Sequence, residues 1–163
     1  MGRILIPFLD MLRLRSGPQD LPASHRFMVL LAIMYIAGGF IAGAVLGESD
    51  YAPRALLAIG IQFGFITVLL NLKGLSDRIQ QTISALSGTG FIFGMVSIYL
   101  LSLIDVESPQ VELAAFYMLL FFWSLAVDGH IYRSALSSKM GTGLLVAVTV
   151  FAINFVLLRL LFG

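Results

Sequence analysis

Cysteine is absent from all 163 residues, so disulfides, thiolate metal sites, iron–sulfur clusters and cysteine nucleophiles are excluded. Charge is scarce too. Only 12% of residues are charged against 59% hydrophobic, whereas a soluble domain carries about 25% charged and about 45–50% apolar residues. Ten Lys/Arg against nine Asp/Glu give a net charge of +1, which provides no basic surface for nucleic acid. The two histidines, His25 and His130, lie in different segments, and neither has a carboxylate at helical metal-ligand spacing. There is no His-Glu-x-x-His and no nucleophile elbow. Neither an enzyme nor a bound cofactor or metal is expected.

What the chain has instead is long uncharged runs, at 27–47, 55–72, 79–104, 113–127 and 140–158. A helix rises 1.5 Å per residue, so a hydrocarbon core of about 30 Å takes roughly 20 residues. Runs of this length exclude a β-barrel, whose strands span with about ten alternating residues. They predict an all-α integral membrane fold: five transmembrane helices in a bundle, with an N-terminal amphipathic interfacial helix. The boundaries are a cytoplasmic arm and turn over 1–25, then a transmembrane domain over 26–163. The spans fall at about 26–47, 53–73, 79–104, 109–135 and 142–162.

Local punctuation fits these spans. Ser24 is placed to cap the first and Gly47 to close it, before the polar turn Glu48-Ser49-Asp50. Pro53 would open the second at its first helical position, with Gly74 beyond its end. Ser76 is a cap candidate for the third, Ser108-Pro109 for the fourth, and Gly141-Thr142 would separate fourth from fifth.

Eight cations fall on one side of this layout: Arg3, Arg13, Arg15, Arg26, Lys73, Arg78, Arg133 and Lys139. The other side has Arg54 and Arg159, with the acids Glu48, Asp50, Asp105, Glu107 and Glu112. Positive residues are retained in the cytoplasm, so the N-terminus is expected inside and the C-terminus outside, in a bacterial inner membrane.

In the arm, Arg3, Asp10 and Arg13 fall within about 80° of one another at 100° per residue, leaving a wide apolar face. Such a segment lies in the membrane interface. Pro7 would kink or interrupt it, and residues 16–22 read as a turn. The arm serves either to anchor the first span or to dock a cytoplasmic partner. With its segment Leu-Arg-Leu-Arg-Ser-Gly-Pro-Gln-Asp-Leu-Pro (12–22) ahead of five spans, the chain resembles small proteobacterial five-span inner-membrane proteins. The layout is similar, more distantly, to the Yip-type integral membrane proteins. That resemblance implies a non-enzymatic protein acting through protein or lipid partners.

Small residues four apart let helices approach closely in lipid. Span one has Gly39, Gly43 and Gly47 at this spacing, span two Gly60 and Gly64, and span three Gly90 and Gly94. They pack the bundle internally or, on span one, form a homodimer seam. Tyr35, Gln62, Ser97 and Asn154 fall near the middle of their spans, where an unpaired polar group costs several kcal/mol. They form either a dry structural layer or a hydrated path.

The fourth uncharged run is the shortest. Extending it inward from Glu112 brings Asp128 and His130 roughly one turn inside the cytoplasmic edge, level with Asn71, Lys73 and Arg78. Asp128 is then either wet at a span that ends early or part of a cytoplasmic-side polar cluster, paired with Lys73 or Arg78.

The expected function is therefore a non-enzymatic accessory or scaffold protein. It would act through helix–helix contacts and its basic arm, with the lipid bilayer and a membrane-protein partner or homo-oligomer as its contacts. The alternative is a subunit of a small transporter or channel built around Asp128. A scaffold packs the polar layer dry, whereas a transporter hydrates it and connects it to Asp128.

The eight-to-two division of cations gives a direct topology test. A periplasm-active reporter fused after Gly163 should be active and one fused after Lys139 silent; the reverse pattern would invert the orientation.

Overall fold

The computed structural model describes residues 2–47, 50–103 and 111–163, with residues 2–4 described by their backbone alone. All regular structure among these residues is helical. The α-helices are α1 (Gly2–Leu12), α2 (His25–Leu46), α3 (Tyr51–Leu72), α4 (Ile79–Ser102), α5 (Val111–Ala135) and α6 (Met140–Phe162). Single 3-10 turns occupy Pro18–Asp20 and Ser76–Arg78. Five helical segments, α2 to α6, are long and apolar enough to cross a membrane, so the chain is a multi-pass membrane protein built as a helical bundle. Helices are the natural solution there, because each satisfies its own backbone groups without water.

Several ends follow the local chemistry of the sequence. The Ser24 hydroxyl accepts from the Phe27 amide at 3.4 Å, Gly47 closes α2 at φ 68°, and Gly74 takes φ 69° just beyond α3. Others differ. Pro53 is the third residue of α3 rather than the first, a position whose N–H has no intrahelical acceptor either. Ser76 does not cap α4: it sits in the 3-10 turn and its hydroxyl donates to Asn71 Oδ1 at 2.7 Å. Gly141 and Thr142 already lie within α6, and the α5–α6 connection is Leu136–Lys139. Ser108-Pro109, Glu48-Ser49, Asp105 and Glu107 lie outside the described residues, as does the Arg3 side chain.

Helix α4 is the centre of the bundle. Thr82 to Thr89 are buried without a break, which on a helix means burial on every face. The run Thr-Ile-Ser-Ala-Leu-Ser-Gly-Thr allows this because most of its side chains are small. Its hydroxyls bond back along the helix, Thr82 to Arg78 O at 2.7 Å, Ser84 to Gln80 O at 2.7 Å and Thr89 to Ala85 O at 2.8 Å. α2 and α5 pack against this helix, as do α1 and the turn after it.

The arm is thus part of the bundle. α1 continues through Pro7, whose carbonyl accepts from the Ser16 hydroxyl at 2.8 Å. Phe8 and Met11 are buried, while Leu5, Ile6 and Leu9 point outward. Phe8 fills the space that a side chain on Gly88 would occupy. Gln81 of α4 donates to the Leu21 carbonyl at 2.7 Å, and Leu21 itself is buried. Arg13, Arg15 and Arg26 remain exposed.

The tightest helix crossing joins α5 to α6, at glycines outside the three stripes read from the sequence. A Cβ on Gly143 would overlap the Gly129 carbonyl oxygen and come within 2.7 Å of the Arg133 backbone; one on Gly129 would lie 3.0 Å from Leu144 Cα. Among the stripes, Gly43 is buried in α2, a Cβ on Gly39 would lie 3.0 Å from Ala55 Cβ, and one on Gly90 would run into the Tyr35 ring. Nothing approaches within 4 Å of a Cβ on Gly60, Gly64 or Gly94. Gly60 and Gly64 are exposed on the outside of α3, so this pair is not a seam within the bundle.

Gly143→Leu should therefore separate α5 from α6 and sharply lower the yield of folded protein in detergent, since the clash is with backbone that cannot yield. Gly64→Ala should be neutral or stabilising by up to about 1 kcal/mol in a thermal unfolding assay. The opposite ranking would mean that α5 and α6 cross elsewhere.

Candidate functional site

Three of the four mid-span polar residues converge with Asp128. Tyr35 from α2, Gln62 from α3, Ser97 from α4 and Asp128 from α5 line one cavity of about 270 Å³, together with Ser124 one turn before Asp128. Glycines make the room: Gly38, Gly39, Gly90 and Gly94 form part of the wall, and Gly94 faces open space. Phe91, Phe93 and Tyr51 add aromatic surface, and Ala and Ile side chains supply much of the rest.

The cavity extends from mid-bundle toward the end that bears the α2–α3 connection, since Ala42 near the end of α2 and Tyr51 at the start of α3 both line it. At the opposite end the chain is closed. Tyr132, Ile131, Leu86, Phe8 and Met11 are all buried in one apolar cluster beneath the cavity.

Gln62 organises the polar end. Its amide nitrogen lies 3.4 Å from Asp128 Oδ2 and 3.3 Å from the Tyr132 hydroxyl, donating to both acceptors across α3 and α5. Both distances exceed the usual 2.7–3.2 Å, so the amide is shared between two weak bonds. This is the only hydrogen bond to Asp128 among the described residues. Among the described residues no Lys, Arg or His lines the cavity. Tyr132 and Ser124, at i+4 and i−4 from Asp128, share its helical face.

The cytoplasmic-side cluster expected from the sequence is not assembled. Asn71 is exposed and accepts from Ser76, and Lys73 is exposed beyond the end of α3. The Arg78 guanidinium donates to the carbonyls of Ala135 at 2.9 Å and Ser134 at 3.4 Å and to the Ser137 hydroxyl, which places its charge at the C-terminus of α5. His130 is buried, and its Nε2 donates to the Ser16 carbonyl at 2.8 Å, holding the arm against α5. Asp128 lies two residues away on another face of the helix and turns into the bundle. Consecutive residues are 100° apart on a helix, so one stretch of α5 serves two environments.

Asn154 stands apart from the layer. Its amide nitrogen donates to its own helix at Val150 O, 3.2 Å away, and it does not line the cavity. At the end toward which the cavity extends, the Arg54 guanidinium donates to the Phe162 carbonyl at 3.3 Å and stacks 5.5 Å from the Phe162 ring centre, tying the start of α3 to the end of α6. Among the described residues no group of three or more His, Cys, Asp or Glu could hold a metal ion.

Compared with known proteins, the chain matches no family model, no curated protein and no solved structure. The resemblance to Yip-type proteins thus rests on span number and the cytoplasmic arm, and the site is read from its own geometry.

Tyr132, Gly129 and Gly143 matter more than the sequence alone conveys. The face shared by Ser124, Asp128 and Tyr132 was the available signal for the first, and the Asp128-Gly129 neighbourhood for the second. Gly143 carries no such signal, because its role depends on which helix lies opposite.

A double-mutant cycle separates the observed pairing from the one expected. Asp128→Asn and Gln62→Leu should be non-additive in thermal stability by about 0.5–3 kcal/mol, as residues in contact are. Asp128→Asn combined with Lys73→Gln should be additive within about 0.5 kcal/mol. Coupling to Lys73 instead would mean that Asp128 faces the cytoplasmic edge.

Proposed function

We propose that this chain is a non-enzymatic bacterial inner-membrane protein, N-terminus in the cytoplasm and C-terminus in the periplasm, that binds a small solute in its intramembrane cavity as a transporter-type subunit. The observation that carries the reading is that the mid-span polar residues surround a cavity and Asp128 opens into it. A scaffold gains nothing from a carboxyl group left under-satisfied by one long hydrogen bond from an amide that it shares with Tyr132, since ionisable residues inside a membrane are costly and mark substrate or ion pathways. The asymmetry of the bundle supports the same reading. The cavity extends toward the periplasmic end in the proposed orientation, while the arm closes the cytoplasmic end through Phe8, Met11 and the His130–Ser16 bond. An outward-facing state of an alternating-access cycle has this form.

An accessory or scaffold role is the second reading, favoured by Gly60 and Gly64. These form an outward small-residue pair on α3 that no helix of this chain covers among the described residues, available to a membrane-protein partner or a second copy. The two readings are compatible in a transporter built from several subunits.

Because the chain lacks cysteine, single cysteines can be introduced and labelled without background. Gly94→Cys should react in intact cells with a membrane-impermeant thiol reagent, and Ser87→Cys, buried at the centre of α4, should not. An unreactive Gly94→Cys would mean a dry, structural cavity and return the scaffold reading to first place. Gly60→Cys forming an intermolecular disulfide in membranes would support the outward pair as an interface.

A further inference from the structure

We infer that the solute is a small organic cation, an ammonium bearing short alkyl groups, with Asp128 as its counter-charge; this rests on the solute-binding reading above. The charge argument comes first. Among the described residues Asp128 is the one acidic residue lining the cavity, and no basic side chain faces it there. Its neighbours Gln62, Tyr132 and Tyr35 are neutral groups, so the bundle supplies dipoles but no balancing charge. In a low-dielectric interior an ionised carboxylate is costly until a cation joins it, and a single carboxylate balances a single positive charge.

The walls then select the kind of cation. A bare metal ion takes about six or more oxygen ligands at short range. Here the carboxylate stands among aromatic and aliphatic surfaces: Tyr35, Tyr51, Phe91 and Phe93 contribute rings, and glycine, alanine and isoleucine line much of the remainder. Alkyl groups on an ammonium bury well against such walls, and aromatic faces attract the cation itself within about 6 Å. The volume of about 270 Å³ lies just under the range of about 300–1,000 Å³ usual for small-molecule sites, which restricts the ligand to a few heavy atoms.

In the sequence, the segments that join the helices at the end toward which the cavity extends carry charge of the matching sign. The segments at that end hold Glu48, Asp50, Asp105, Glu107 and Glu112 in sequence, against Arg54 and Arg159. Neither arginine lines the cavity; both lie beside Phe162 at the end of α6. A surplus of negative charge around a low-dielectric opening raises the local concentration of cations.

The test uses choline and its uncharged carbon isostere 3,3-dimethyl-1-butanol on the full chain in detergent, read as thermal stabilisation against ligand concentration. Choline should stabilise the protein saturably, with an apparent affinity at least tenfold above that of the neutral alcohol. Asp128→Asn should weaken choline binding by at least tenfold. Should that variant not fold, Gly94→Val provides the second measurement: its Cβ meets nothing within 4 Å, so the side chain takes up cavity space and should also weaken binding at least tenfold. Equal effects of choline and the alcohol would overturn the inference. So would stabilisation by sodium or potassium chloride without choline, or choline binding that both variants leave intact. If none of these compounds acts while Gly94→Cys is labelled, the cavity is a site for a different solute class. If Gly94→Cys is not labelled, the solute-binding reading fails first.

Discussion

The Gln62 amide, held between the Asp128 carboxylate and the Tyr132 hydroxyl, is the contact on which the interior arrangement depends. Lipid offers a polar side chain no partner, so Asp128 must turn into the bundle. That requirement fixes the rotation of α5 and its distance from α3. With Asp128 turned inward, His130 faces the arm, and Gly129 meets α6. The glycine permits the crossing at which α6 packs closest. One polar contact therefore orders three helices and the arm.

Glycine plays two opposed parts in this bundle. At Gly129 and Gly143 the missing side chains let two backbones meet, and the same absence at Gly88 admits Phe8 of the arm. At Gly94 the missing side chain leaves room. Spacing alone does not distinguish these uses, since a glycine four residues from another looks the same whether a helix, an aromatic ring or a cavity lies opposite. The distinction matters for function because the packed glycines bring the polar groups together and the unpacked one keeps them accessible.

The arm packs against the end of the bundle opposite the one toward which the cavity extends. Its apolar residues Phe8 and Met11 seal the bundle beneath the cavity, and its turn is fixed by the His130 and Gln81 hydrogen bonds. These bonds, unlike the buried helix crossings, involve a short element with exposed flanks, Leu5, Ile6 and Leu9 on one side and Arg13 and Arg15 on the other. Opening this end would require displacing this element along with the buried contacts of Leu86, Ile131 and Tyr132. An interfacial helix with an apolar face can partition into the membrane surface when released.

The sequence by itself determined the class of fold and the number of spans, because insertion into lipid depends on hydropathy summed along one helix and helices satisfy their own backbones. The caps at Ser24, Gly47 and Gly74 were legible for the same reason: they are local. Tertiary structure alone decided which polar groups meet. Tyr35, Gln62 and Ser97 were recognisable as a layer by depth, but Asp128 joined them rather than Lys73 and Arg78 because of the direction in which α5 is turned. A rotation of 100° per residue separates Asp128 from its neighbours in sequence, and that angle is set by the Gln62 contact together with the packing of α5 against α4, α6 and the arm. The capping of α5 by Arg78 and the tight crossing at Gly143 belong to the same kind of fact, set by elements far apart in the chain.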